Sequence, residues 1–226
     1  METLLLASSS PRRHQLLTML GIPFIAMDPD IDETLRDSLC PRDRVLQLAA
    51  DKALAAASRR ATSEPRLVLA ADTLVCVTCP DQGEDGTGQP EPDEEHVLGK
   101  PENREDAARM LRLLSGRSHI VHTGLVLLDR SSGARLEARS DSSVRFSPLS
   151  EEEIGDYLDS GEWRGVAGAY RVQGWTGLFI ERIEGSWSGI MGLPIHELYD
   201  ILRSANYRLK PMREEARGPL GFEPAS

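Results

Sequence analysis

The chain is short of cysteine, short of positive charge and without any long apolar run, and each shortage removes a class of protein. Only Cys40, Cys76 and Cys79 occur. An odd number without framework spacing reads as reduced thiols in a cytosolic protein, not as a disulfide scaffold. Cys76-Val-Thr-Cys79 is the one CxxC in the sequence, and no second pair accompanies it to complete a zinc site. Lys and Arg number 26 against 36 Asp and Glu, a formal net charge of -10. That balance argues against broad nucleic-acid or anionic-membrane binding, which need a basic face, so any polyanionic ligand must meet a local basic cluster. No segment approaches the run of about 20 apolar residues that spans a bilayer. The opening METLLLASSSPRR also lacks the basic start and long apolar core of a signal peptide. The expectation is a cytoplasmic protein with no membrane or nucleic-acid partner.

Familiar catalytic signatures are missing as well. There is no GxxxxGK[ST] phosphate loop, no GxSxG elbow and no HExxH, so the common NTPase and serine-hydrolase readings have no support. His14, His119, His122 and His196 show no ligand spacing and are expected to be structural.

What is present is a 226-residue chain with 40% hydrophobic residues, enough for a substantial core. The pattern predicts one α/β domain over residues 1–207, with a disordered tail from 208 to 226. Leu4 to Ala7 reads as a short strand. Ser10, Pro11 and Gly21 bracket an amphipathic helix over about 11–20. Leu46, Ala49, Ala50, Ala53, Leu54 and Ala57 recur at helical spacing over 41–60, with Lys52 on the margin of the apolar face. Residues 66–78 form a β-type run, and 80–96, rich in Pro, Gly and acid, is predicted to be a solvated loop. A helix is expected over 102–115, then two strands joined by the Ser-Ser-Gly turn at 131–133. A capping box of Ser150 and Glu153 opens the next helix. A glycine-rich stretch over 161–192 carries a strand from Leu178 to Ile183, and a last helix starts after Pro194. No internal repeat is visible.

Several residues stand out against this frame. Asp72 lies in the middle of an apolar strand, where an unpaired carboxylate costs several kcal/mol, so it is either a capping group or a functional one such as a general base. Arg12 and Arg13 stand in the first turn of a helix, the wrong sign for its dipole unless an anion lies between them and the amides. Lys52 and Lys100 are individually weak signals: a lysine on a helix margin usually reaches to water, and Lys100 lies in a turn before a proline, a common surface setting. Asp32 and Glu33 are either a cap or hard oxygen ligands for a divalent cation.

Seven stretches taken together resemble the Maf family of nucleoside triphosphate pyrophosphatases. They are LASSSPRRHQLL near the start, DETLR at 32–36, AADKA at 49–53, AADTLV at 70–75, LGKPENREDAARMLRLLSG at 98–116, AGAYRVQG at 167–174 and EGSWSGIMGLP at 184–194. The resemblance implies a single mixed sheet flanked by helices around a central cleft. It also implies cleavage of a nucleoside triphosphate between its α- and β-phosphates, with Mg²⁺ or Mn²⁺. On it, Asp72 matches the proton acceptor, and Ser8, Arg12, Arg13, Glu33, Lys52 and Lys100 match residues lining the phosphate and metal cleft, with Glu33 and Asp72 toward the metal. Arg12, Thr73 and Gln173 occupy the places that vary with base preference and look like the dTTP/UTP subgroup. The runners-up are 7-methyl-GTP cleavage and a nucleotide-binding regulator of septum formation. The family resemblance suggests a homodimer. Three departures from the family's pattern are visible: a longer segment between about Thr78 and Val97, Arg171 in AYRVQG, and the region of Trp187.

Overall fold

The computed structural model describes residues 1–59, 65–78 and 95–211, with the backbone alone at Leu35. The acidic stretch 79–94, with Cys79, and most of the expected tail, 212–226, lie outside the described residues. Seven strands form one mixed sheet: β1 (Leu4–Ala7), β2 (Phe24–Met27), β3 (Leu67–Thr78), β4 (Glu95–Leu98), β5 (Ser118–Asp129), β6 (Arg135–Phe146) and β7 (Ile180–Glu184). Their order is β2-β1-β3-β5-β6-β7, with β4 added to β3. The helices are α1 (Pro11–Met19), α2 (Pro41–Ser58), α3 (Arg104–Leu114), α4 (Glu151–Ser160), the short α5 (Trp187–Ile190) and α6 (Ile195–Ser204).

Period-two alternation divides the apolar residues between two cores. Leu4, Leu6, Leu67, Leu69, Leu125 and Leu127 face the larger one, with Leu111 of α3, Tyr157 of α4 and Leu198 of α6. Leu5, Ala7, Val68, Ala70 and Val126 face the other way, under Ala49, Ala50 and Ala53 of α2. The alanines let α2 lie close to the sheet. At Gly124 the approach is closest: a Cβ there would stand 2.4 Å from the Val45 carbonyl oxygen of α2.

The local punctuation follows the sequence. Ser150 and Glu153 form the capping box of α4, and Gly161, at φ 72°, ends it in the left-handed conformation. Three expectations shift. Ser10 precedes α1 without a side-chain cap bond. Residues 95 and 96, assigned to the acidic loop, begin β4 and pair with β3 through Thr78↔Glu95 and Val77↔His96. β7 begins at Ile180 because residues 175–178 form a 3-10 turn.

Strand β3 creates the opening in which the site lies. On one edge its start pairs in parallel with β1, through Leu5↔Val68 and Leu6↔Leu69, and its end pairs with β4 from Val75 onward. Residues 70–74 lie between these two pairings, while the opposite edge stays paired to β5 throughout. The gap falls at the carboxyl end of β1, where open α/β sheets place their ligands.

Candidate active site

Asp72 and Thr73 occupy that gap and, as neighbours on a strand, point to opposite faces of the sheet. Asp72 faces α2. Its Oδ1 lies 2.5 Å from Lys52 Nζ, and the same ammonium is 2.6 Å from Glu33 Oε1, in the 3-10 turn Glu33–Arg36. Lys52 is 7% exposed, so it does not reach for water from the helix margin as its sequence position suggested; two carboxylates hold it inside. Burial raises the Asp72 carboxyl above the ordinary carboxylate range, against the opposing pull of Lys52 and Arg13. Glu33 is exposed, with half of its side-chain surface open to solvent. Burial raises it too, but the hydrogen bond from Lys52 and the charges of Lys52, Lys100 and Arg13 outweigh this and hold it below that range. Two carboxylates sharing one cation are thus pushed in opposite directions, a pattern that separates proton-accepting from charge-holding roles.

Thr73 faces α1 and α5. Arg13 is buried there, donating from Nε to the Gly192 carbonyl (2.8 Å), from one terminal nitrogen to Ser8 Oγ (3.0 Å) and from the other to Thr73 Oγ1 (3.3 Å). Gly192 has φ 109°, and a Cβ on it would stand 3.3 Å from Thr73 Oγ1 and 3.4 Å from Arg13 Nε, so only glycine lets the loop close on the guanidinium. Thr123, opposite Thr73 on β5, lies 3.0 Å from Thr73 Oγ1 and 2.8 Å from the Gly189 carbonyl. Ser8 Oγ also accepts from the Ser10 amide, which fixes the turn into α1.

Arg12 behaves differently from its neighbour. It makes no hydrogen bond or ion pair among the described residues. Burial, then the charges of Arg13 and Arg171, lower its pKa. Three guanidinium groups gathered at one cleft, beside a helix start with no side-chain cap and Pro11 at its first position, fit an anion. Lys100 and Gln173 are exposed on the rim of the same cleft. The cavity holds about 320 Å³. Nine residues singled out in the sequence line it: Ser8, Arg12, Arg13, Glu33, Lys52, Asp72, Thr73, Lys100 and Gln173. Asp32 does not; its Oδ1 accepts from the Thr34 amide and caps the 3-10 turn that carries Glu33. Thr123 and the Gly192 carbonyl were not legible beforehand, because strand register and a contact 179 residues apart in the chain bring them in.

Comparison with known proteins gives the family. The family described as Maf-like protein matches residues 3–205. A dTTP/UTP pyrophosphatase of Treponema denticola is 40% identical over 211 residues, 92% of this chain and 100% of its own length. The protein of the same name from Methylobacillus flagellatus is 42% identical, covering 90% of this chain and 93% of that one. The one from Rhizobium meliloti is 41% identical, with 91% and 94% covered. A crystal structure of a nucleoside-triphosphatase / dITP/XTP pyrophosphatase from Mycobacterium abscessus overlaps 65% of this chain and 75% of its own at 13% identity, with a TM-score of 0.37. With a family match running from β1 through α6 and relatives about 40% identical along nearly their whole length, the chain belongs to the Maf family.

Proposed function

We propose that this chain is a nucleoside triphosphate pyrophosphatase that hydrolyses dTTP and UTP to the monophosphate and pyrophosphate. Its working unit is one domain over residues 1–207. The observation that carries the reading is the single cleft in which the Asp72–Lys52–Glu33 cluster faces the Arg12, Arg13 and Arg171 guanidiniums.

The chemistry needs a water oxygen to attack the α-phosphorus, a base to take its proton, and cations to receive the charge that passes to the leaving pyrophosphate. Asp72 takes the proton. Lys52 orients Asp72 and Glu33. The bond from the α-phosphorus to the bridging oxygen breaks, and its electron pair leaves with pyrophosphate. Arg12, Arg171 and Lys100 receive the triphosphate oxygens. Arg13 spends three of its five N–H donors on Gly192, Ser8 and Thr73, which leaves two for a phosphate oxygen.

The donors also fit a hard divalent cation: carboxylate oxygens of Glu33 and Asp72 converge on one Nζ, and the cleft lining contains no thiol or imidazole. Glu33 and Asp72 would hold Mg²⁺ or Mn²⁺, which when bound neutralises phosphate charge and lowers the pKa of a nearby water.

Gln173 supports the pyrimidine preference. It is exposed on the cleft and makes no hydrogen bond among the described residues, so its amide is available to meet the O4 and N3–H edge of uracil or thymine. The relatives' shared name points the same way, and 7-methyl-GTP is not favoured. A homodimeric unit belongs to this proposal through the family resemblance, and a cytoplasmic location through the reading of the three cysteines as reduced thiols.

The test is pyrophosphate release from dTTP, UTP, CTP, GTP and 7-methyl-GTP with Mg²⁺ or Mn²⁺, comparing wild type with Asp72→Asn. Turnover of dTTP and UTP that falls by about a hundredfold or more in the variant is expected. Binding of a triphosphate without turnover in the wild type would instead favour a regulatory nucleotide-binding protein.

A further inference from the structure

A second cluster of chemistry-bearing side chains lies on the α2 face of the sheet, outside the catalytic cleft. Cys76 of β3, Glu95 of β4 and His122 of β5 each direct a ligand atom to one spot, and these atoms all lie within 4.8 Å of one another. None of the three lines the cleft. Cys76 lies four residues beyond Asp72 on the same strand face, about 13 Å along β3.

Strand register explains the meeting. Leu74 pairs with His122, Cys76 with Val97 and Thr78 with Glu95, so Cys76 is diagonal to both His122 and Glu95 on a shared face. Cys76 and His122 are 1% and 2% exposed, whereas the Glu95 side chain is 29% exposed and gives the cluster its edge toward water. His122 is oriented from behind: its Nδ1 lies 2.7 Å from Asp141 Oδ1, and Arg42 in turn binds Asp141 Oδ2 at 2.8 Å. That leaves Nε2 facing Glu95, 3.2 Å from its Oε2. A carboxylate behind a histidine is the usual support of an imidazole that ligates a metal through its other nitrogen.

We propose that Cys76, Glu95 and His122 form a zinc site distinct from the catalytic cleft. Bond lengths of about 2.3 Å to sulfur and 2.0–2.1 Å to nitrogen place tetrahedral ligand atoms roughly 3.3–3.6 Å apart. The His122–Glu95 separation already matches that spacing, and the thiol, within 4.8 Å of the other two ligand atoms, must approach by at most about 1.5 Å. The donor chemistry chooses the ion. A thiolate with an imidazole and a carboxylate suits Zn²⁺ and is poor for Mg²⁺, which the all-oxygen set of the cleft suits better. Thiolate and carboxylate together neutralise a divalent charge, and the fourth position opens to solvent on the Glu95 side. The ion cross-links three neighbouring strands, tying β4 and β5 to the distal end of β3.

The same atoms have a simpler arrangement without metal, in which the His122 ring bridges Glu95 and Asp141 and Cys76 is a bystander. Burial, then the Glu95 charge, pushes the Cys76 thiol up to about 12, which removes it as a nucleophile at neutral pH. The two arrangements therefore differ in whether the sulfur ligates.

Cobalt(II) titration of the reduced full chain in excess Mg²⁺ tests this. One equivalent of Co²⁺ should develop a thiolate-to-cobalt charge-transfer absorption that stoichiometric Zn²⁺ abolishes. Cys76→Ser should lose that absorption, while Cys40→Ser and Asp72→Asn should keep it. His122→Gln and Glu95→Gln should each weaken Zn²⁺ binding at least tenfold, and Asp141→Asn by about 10- to 100-fold. If Cys76→Ser fails to fold, His122→Gln and Glu95→Gln decide the matter. A wild type with no charge-transfer band, a band that survives Cys76→Ser, or Zn²⁺ affinity unchanged in His122→Gln overturns the site. None of these readouts depends on triphosphate turnover.

Discussion

Lys52 Nζ lies 2.5 Å from Asp72 Oδ1, inside the sheet–helix interface, with both side chains less than 10% exposed. Removing one member of such a pair leaves a buried charge unpaired, which costs about 3–5 kcal/mol, whereas removing both costs far less. Lys52→Met is therefore expected to destabilise the fold by several kcal/mol at neutral pH. Lys52→Met with Asp72→Asn should recover most of that loss. Urea unfolding of the two single variants and the double variant measures the coupling, and strictly additive effects would refute it.

Arg12 and Arg13 are adjacent in sequence yet should respond oppositely. Arg13→Lys replaces a three-way guanidinium contact with one ammonium, so it should lose about 1–3 kcal/mol of stability and much of the activity. Arg12→Ala removes no internal bond. It should leave the melting temperature within a degree or two while raising KM for dTTP about tenfold or more. Paired calorimetry and steady-state kinetics separate the two, and equal stability losses would contradict the assignment.

Gly124 is the point of closest approach between α2 and β5. A methyl group at 2.4 Å from the Val45 carbonyl cannot fit without moving the helix, and overpacking of this kind costs about 1–3 kcal/mol or more. Because α2 carries Lys52, Gly124→Ala should also lower kcat although it touches no substrate. Gly155→Ala, inside α4, where nothing lies within 4 Å of an added Cβ and the backbone is helical, should leave kcat unaltered and serve as the control.

His119 sets part of the acid stability. Its Nε2 meets the Tyr170 hydroxyl at 2.8 Å, its ring packs edge-on against Phe146 and Tyr170, and burial lowers its pKa to about 3. With the folded value below the unfolded one, about 6.5, the stabilising contribution is complete above that pH and is lost as pH falls toward 3. Each unit in that window removes about 1.4 kcal/mol, so roughly 2 kcal/mol is gone at pH 5. His119→Gln, neutral throughout and able to bond Tyr170, should flatten the stability profile between pH 6 and 4. Chemical denaturation at half-unit intervals checks it, and parallel profiles would dismiss the effect.

Much of the fold was legible because its signals are local. The Ser150–Glu153 box, the Pro11 start of α1 and the apolar β-type run of β3 are decided by neighbours within a few positions. Asp72 was legible for the opposite reason, as a carboxylate in a stretch where desolvation forbids an idle one. The depth of Lys52 was not, since helical spacing gives the face of a side chain but not the charges that await it there.

The sequence by itself determined most of the elements, the acidic balance and the residues able to bind phosphate, because propensity, periodicity and charge belong to the residues themselves. Only the tertiary structure decided which of them meet. The β1–β3–β4 pairing leaves the gap in which Asp72 lies, a contact across 179 residues turns Arg13 toward Gly192, and register on three strands gathers Cys76, Glu95 and His122 from a chain in which none is adjacent to another. Such meetings depend on how sheets pair and helices pack, free energies that no short window of sequence contains.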